Sequence, residues 1–152
     1  MIKVGIIGAT GYAGGELARL LLQRDDVQIV WFGSKSYVDQ DYGDIYQNMY
    51  QIADDVCRGD DMEAIAKEAD VIFTATPPGL CASLINEEIL SKAKVIDLSA
   101  DFRIKDVAVY EEWYKIRHAA AQFIGEAVYG LPEINREKIR SARLIANPGC
   151  YP

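Results

Sequence analysis

The chain has 152 residues, half of them apolar, and a formal net charge of −7: long enough for one domain with a proper core, and too acidic to favour nucleic acid or an anionic membrane as partner. No apolar stretch reaches bilayer-spanning length, and the start is broken by Lys3 and Gly5 with no cleavage-like segment, so a cytoplasmic address is expected. Three cysteines without a Cys-x-x-Cys pair and a single histidine support neither a disulfide framework nor a metal site.

Lys3 to Ile7 reads as a short buried strand and runs straight into Gly8-Ala9-Thr10-Gly11-Tyr12-Ala13-Gly14. Beyond it Ala13, Leu17, Leu20 and Leu21 recur at helical spacing, and Val27 to Phe32 forms a second strand-like run. Strand, glycine turn, helix and strand make a mononucleotide-binding unit, in which glycines bring the backbone close to a pyrophosphate and the helix N-terminus faces it. The spacing is Gly-x-x-Gly-x-x-Gly, a partial match to the commoner Gly-x-Gly-x-x-Gly. Gly8, Thr10, Gly11, Tyr12, Ala13 and Gly14 are therefore the candidate cradle.

An enzyme preferring NAD carries Asp or Glu at the end of the second strand, where it accepts hydrogen bonds from the ribose hydroxyls. Here Phe32 is followed by Gly33-Ser34-Lys35-Ser36-Tyr37. The hydroxyls of Ser34 and Ser36 and the ammonium of Lys35 suit a ribose 2′-phosphate, which predicts NADP.

Asp39 to Tyr50 lacks clean periodicity and reads as loop or short helix over the sheet edge. Asp61 to Ala69 is expected to be helical and Val71 to Thr76 a third strand, ended by Pro77, Pro78 and Gly79. A helix over Leu80 to Leu90 and a strand over Lys94 to Leu98 follow; Val107 to Arg117 reads as an aromatic, charged insertion before Ala127 to Tyr129. Pro132 to Ser141 has proline at a helix start, and Arg143 to Ala146 is the last strand. The order implies an α/β, doubly wound parallel sheet of the Rossmann-like dinucleotide-binding kind, one domain over 1–152. Ligands of such sheets bind beyond the carboxyl ends of the strands. Thr76, Pro77 and Gly79 are thus candidate cofactor contacts, and the Ser99 to Arg103 segment stands beside them. Cys150, after the last strand, is a candidate nucleophile: a thiolate beside a hydride donor suits reduction of an activated acyl group through a thioester.

The glycine turn, Ser34-Lys35-Ser36, Asp97-Leu98-Ser99-Ala100-Asp101-Phe102-Arg103, Tyr129-Gly130-Leu131-Pro132-Glu133 and Asn147-Pro148-Gly149-Cys150-Tyr151-Pro152 together resemble the cofactor-binding part of N-acetyl-γ-glutamyl-phosphate reductase. The resemblance implies that Cys150 attacks the γ-acyl phosphate, that phosphate leaves, and that NADPH reduces the thioester to the semialdehyde. Ser99, Arg103 and Asn147 become candidate substrate contacts. It further implies a substrate domain carrying the general acid and base, lacking here, so that the chain binds NADPH without turnover, and a homo-oligomeric full-length protein. Two departures concern local pocket geometry: Pro78 stands where many members have histidine, and Ala120 to Ile124 replaces a Pro-Glu-Leu-Leu-like stretch. His118 matches a family histidine of the insertion and reads as structural.

Other readings are weighed alongside. Extended short-chain reductases need Tyr-x-x-x-Lys, which the chain lacks. Aspartate-semialdehyde dehydrogenases share the thioester logic, but Pro-Gly-Cys-Tyr-Pro fits them less well. A non-catalytic dinucleotide sensor would carry an ordinary, sluggish Cys150.

Overall fold

Six short runs rich in Val, Ile and Phe pair side by side, each returning in the same direction through helices on alternate faces. The computed structural model describes residues 1–152. Its strands are β1 (Ile2–Ile7), β2 (Val27–Phe32), β3 (Val71–Thr74), β4 (Lys94–Asp97), β5 (Val128–Tyr129) and β6 (Leu144–Ala146). They form one sheet in the order β2-β1-β3-β4-β6-β5, with every pairing parallel. The first crossover leaves β1 for β2, and the next returns past β1 to β3, so the winding reverses between β1 and β3. Such a reversal opens a crevice at the carboxyl ends of the strands.

The helices are α1 (Tyr12–Leu21), α2 (Tyr42–Ile45), α3 (Met62–Glu68), α4 (Leu80–Leu84), α5 (Glu87–Lys92), α6 (Val107–Tyr114) and α7 (Pro132–Ser141). No helix is long and apolar enough to cross a membrane. Apolar side chains bury on both faces of the sheet, as a doubly wound architecture requires. Val4, Ile6, Ile29 and Phe32 pack with Ala18 of α1 and Tyr42 of α2. Ile7, Ile72, Val95 and Leu144 pack with Ile65 of α3, Cys81 of α4 and Ile89 of α5.

The helix expected over Leu80 to Leu90 is two helices. Ile85 is extended and its side chain buried, and the Asn86 side chain accepts from Ile89 N–H, which starts α5 afresh. The third strand stops at Thr74, two residues before the expected end, so Ala75 and Thr76 belong to the turn. Asp39 to Tyr50 holds α2 and a 3₁₀ turn at Gln47–Met49, with Tyr42 fully buried. In the insertion, Asp106 accepts from the N–H groups of Ala108 and Val109 to start α6, and a left-handed Lys115 ends it.

Register decides where the site lies. Ile7 pairs with Thr74, Thr74 with Asp97, and Asp97 with Ala146. These four strand ends stand in one row, so the residues that follow them all emerge at the same edge. Three inter-strand steps put the row's ends roughly 14 Å apart.

Candidate functional site

At the head of the row, the glycine turn is shaped by backbone contacts. Gly8 has φ +74°, and a Cβ there would lie 2.5 Å from Ala75 O. A Cβ on Gly14 would stand 2.1 Å from Gly8 O and 2.8 Å from Ala9 Cα, whereas one on Gly11 would meet Gly8 O only at 3.4 Å. The first and third glycines of the motif are therefore dictated by close approach. Gly11 starts α1 without a side-chain cap. Tyr12 and Ala13, both exposed, thus present N–H groups that the helix cannot pair, at the positive end of its dipole.

Beside this turn lies the segment after β2. Ser34 is fully buried; its hydroxyl lies 2.8 Å from Thr10 Oγ1 and accepts from Tyr37 N–H at 3.2 Å. It ties the loop after β2 to the glycine turn and has no exposed surface. Thr10 is engaged by the same bond. Lys35 and Ser36 are exposed. Sequence reasoning missed Asp60, whose Oδ1 accepts from Gly8 N–H at 3.3 Å. Burial pushes its carboxyl above the ordinary range, against the opposing pull of the Gly8 N–H and the Lys35 charge.

The turn after β3 comes next in the row. Thr76 Oγ1 is buried and has no hydrogen-bond partner, and its methyl lies 3.6 Å from the Cβ position of Gly8. It is an unsatisfied polar atom at the crevice, and such atoms call for a partner. Pro77 is exposed, and Gly79 takes a left-handed φ of +92° to start α4. Gly79 N–H donates to Asp101 Oδ1 at 2.6 Å, Ala82 N–H to Oδ2 at 2.9 Å, and the Tyr110 hydroxyl to Oδ1 at 2.7 Å. Asp101, with no exposed surface, thus holds the β3 turn against the β4 turn. Asp101 and Tyr110 had no assigned role from sequence, since the acceptor and its donors are far apart along the chain.

His118 completes the bracing. Ala120 N–H donates to Nδ1 at 3.1 Å and Nε2 lies 2.6 Å from Asp101 O, between the rings of Phe102 and Tyr110. Both nitrogens are engaged inside the fold, in keeping with a structural histidine.

Behind the β4 end a polar chain runs inward. Asp97 accepts from Thr74 Oγ1 at 2.7 Å, Ser99 N–H at 3.0 Å and Ser99 Oγ at 2.7 Å, and burial still raises its carboxyl above the ordinary range. The Ser99 hydroxyl also accepts from Asp101 N–H at 3.2 Å. Ser99, expected to touch substrate, is instead 5% exposed and bound within this network. Arg103 likewise finds internal partners: Nε donates to Asn147 O at 2.7 Å, and Nη2 to Leu98 O at 2.7 Å and Pro148 O at 3.4 Å. Its Nη1 is turned toward Gly149, 3.5 Å from that residue's Cβ position. Asn147 Nδ2 donates to Pro148 O at 3.0 Å, which leaves the side chain folded onto its own loop.

Cys150 follows this loop and is exposed; all three cysteines are free. Cys57 and Cys81 are buried, which pushes the Cys57 thiol up to about 11 and the Cys81 thiol well above its ordinary value. Of the three, Cys150 alone is exposed.

A family model for "Semialdehyde dehydrogenase, NAD binding domain" matches residues 3–142. The chain belongs to this family. Within the semialdehyde dehydrogenases, it is 68% identical over 152 residues to an N-acetyl-gamma-glutamyl-phosphate reductase of Lachnospira eligens, and 66% identical to one of Lachnoclostridium phytofermentans. Those matches cover 99% and 100% of the chain but 44% of each relative, so the chain spans under half their length. It is thus a homologue of the NAD-binding portion of these reductases, as the motifs implied. Among solved structures, aspartate semialdehyde dehydrogenase II from Vibrio cholerae, complexed with ASA, matches 99% of the chain and 42% of that protein at 20% identity and a TM-score of 0.66. Aspartate semialdehyde dehydrogenase with NADP from Candida albicans matches 70% of the chain and 32% of that protein at 21% identity and a TM-score of 0.54. These establish a shared fold, and the reductases stand far nearer in sequence.

Proposed function

We propose that the chain is the NADPH-binding domain of an N-acetyl-γ-glutamyl-phosphate reductase and carries the nucleophile of its reaction. One observation carries the reading: the exposed Cys150 leaves the same row of strand ends as the glycine turn, on a loop that Arg103 fastens to the end of β4. The residues present fit a dinucleotide. Gly8 and Gly14 admit no side chain, the start of α1 is uncapped, and the buried Thr76 hydroxyl lacks a partner.

In this reading Gly8, Thr10, Gly11, Tyr12, Ala13 and Gly14 hold the pyrophosphate, and Lys35 and Ser36 take the 2′-phosphate. Thr76, Pro77 and Gly79 line the path toward Cys150. The Cys150 Sγ attacks the γ-acyl carbon, the C–O bond to phosphate breaks, and phosphate departs with the electron pair. When bound, NADPH supplies the hydride that reduces the resulting thioester. The free Nη1 of Arg103 is the group of this residue left to meet an oxyanion, while its other nitrogens keep the Cys150 loop in place.

The test has two arms. Fluorescence titration of the chain should give tighter binding of NADPH than of NADH. In a full-length reductase carrying this domain, Cys150→Ser should abolish phosphate-dependent oxidation of N-acetylglutamate semialdehyde with NADP. Equal affinities would remove the NADP assignment, and an active serine variant would remove the nucleophile.

A further inference from the structure

Three consecutive carbonyls of the glycine turn accept hydrogen bonds from two tyrosines that the proposed mechanism leaves unused. The fully buried Tyr42 donates its hydroxyl to Ala9 O at 3.0 Å. The Tyr46 hydroxyl lies 3.1 Å from Thr10 O and 3.0 Å from Gly11 O, sharing one hydrogen between two acceptors. The rings are seated by packing: Tyr42 lies 4.3 Å from Phe32 and 5.2 Å from Tyr46, centroid to centroid. A Cβ on Gly15 would fall 2.7 Å from the Tyr46 ring, so this fourth glycine is the notch that lets Tyr46 reach the turn.

The consequence lies in the peptide planes. Every peptide in the chain is trans, and a trans peptide holds its C=O antiparallel to the next residue's N–H. Carbonyls of Ala9 and Thr10 drawn toward the phenols turn the N–H groups of Thr10 and Gly11 the opposite way, and Gly11 O, which also accepts from Gly15 N–H at 2.8 Å, is aligned by α1 together with Tyr46, so that Tyr12 N–H points away from both. Gly11 N–H closes the turn on Gly8 O at 3.0 Å. Those of Thr10 and Tyr12 are left to face an anion.

We propose that Tyr42 and Tyr46 are positioning residues that aim the glycine-turn N–H groups at the pyrophosphate, so that the segment from Asp39 to Tyr50 sets dinucleotide affinity. This rests on the cofactor reading above. Neither tyrosine touches the ligand in this proposal; both act through the orientation of three peptide groups. The phenols polarise those peptides as well, since a carbonyl that accepts a hydrogen bond makes the attached N–H a stronger donor.

Two ligands separate this role from plain stabilisation. NADPH contains the pyrophosphate, and 2′-AMP carries the adenosine and its 2′-phosphate without it. NMR titration, which reads millimolar affinities, is applied to both with the unsubstituted chain and with Tyr46→Phe and Tyr42→Phe. Tyr46→Phe should weaken NADPH about fivefold to tenfold and leave 2′-AMP within about twofold. In the same sample, amide exchange at Gly11, whose N–H closes the turn on Gly8 O, should accelerate while that of β1 stays unchanged. Equal losses for both ligands, unaltered NADPH affinity, or acceleration spread over the whole sheet would overturn the inference. If the unsubstituted chain bound no NADPH, the cofactor reading would fall with it; if it bound NADPH and both variants bound equally well, this inference alone would fall.

Discussion

Arg103 Nε donates to Asn147 O at 2.7 Å, joining residues 44 positions apart and locking the turn after β4 to the loop that bears Cys150. A planar guanidinium can reach Leu98, Asn147 and Pro148 together because its donors diverge in one fork. A single ammonium cannot. Arg103→Lys should therefore lower stability by about 1.5–3 kcal/mol, the range for hydrogen bonds to charged groups. Urea denaturation measures the loss, and the alkylation rate of Cys150 should change with it. An unchanged rate together with full stability would show that the fork does not position the loop.

The three glycines of the motif should respond unequally. Gly14→Ala forces a Cβ to within 2.1 Å of Gly8 O, a clash with backbone that no rotamer relieves. A cost of roughly 1–3 kcal/mol in stability and loss of most NADPH binding are expected. Gly11→Ala meets its nearest protein atom at 3.4 Å and should leave stability close to normal. Thermal melting and NADPH titration of the two variants side by side decide the point.

Cofactor choice should follow Lys35, since Ser34 is turned inward. Lys35→Glu removes a cation and adds an anion at the expected 2′-phosphate. NADPH affinity should fall roughly tenfold to a hundredfold while NADH affinity changes little, the span of a lost charge-assisted hydrogen bond. Equal losses for both cofactors would place the 2′-phosphate elsewhere.

Thiol reactivity should divide the cysteines. Iodoacetamide should modify Cys150 in the folded chain, and Cys57 and Cys81 only after denaturation. Burial raises the folded values of the two buried thiols above the ordinary 9.0, to about 11 for Cys57. Between these values the folded chain holds protons that the unfolded chain has released. Stability should therefore fall as pH rises from about 9 through 11, and below pH 9 these groups should contribute no slope. Denaturant midpoints across that range, read beside the alkylation count by mass, test both statements.

What sequence alone settled about this protein was local: strand runs, the helix after the glycines and proline at the start of α7. These depend on periodicity and on contacts between near neighbours, which one chain displays directly. The family was legible too, because several short motifs recur in order. Tertiary structure decided what the polar side chains do. Ser34 reads as a ligand contact on composition and Ser99 on the resemblance, and in the fold their hydroxyls bond to Thr10 and Asp97. Asp60, Asp101, Tyr42 and Tyr46 gave no signal as site residues, because their partners lie 9 to 52 positions away and meet them only after the sheet has formed. A hydroxyl or carboxylate bonds equally well to a ligand or to a distant peptide; only the folded arrangement of backbone groups determines which it meets.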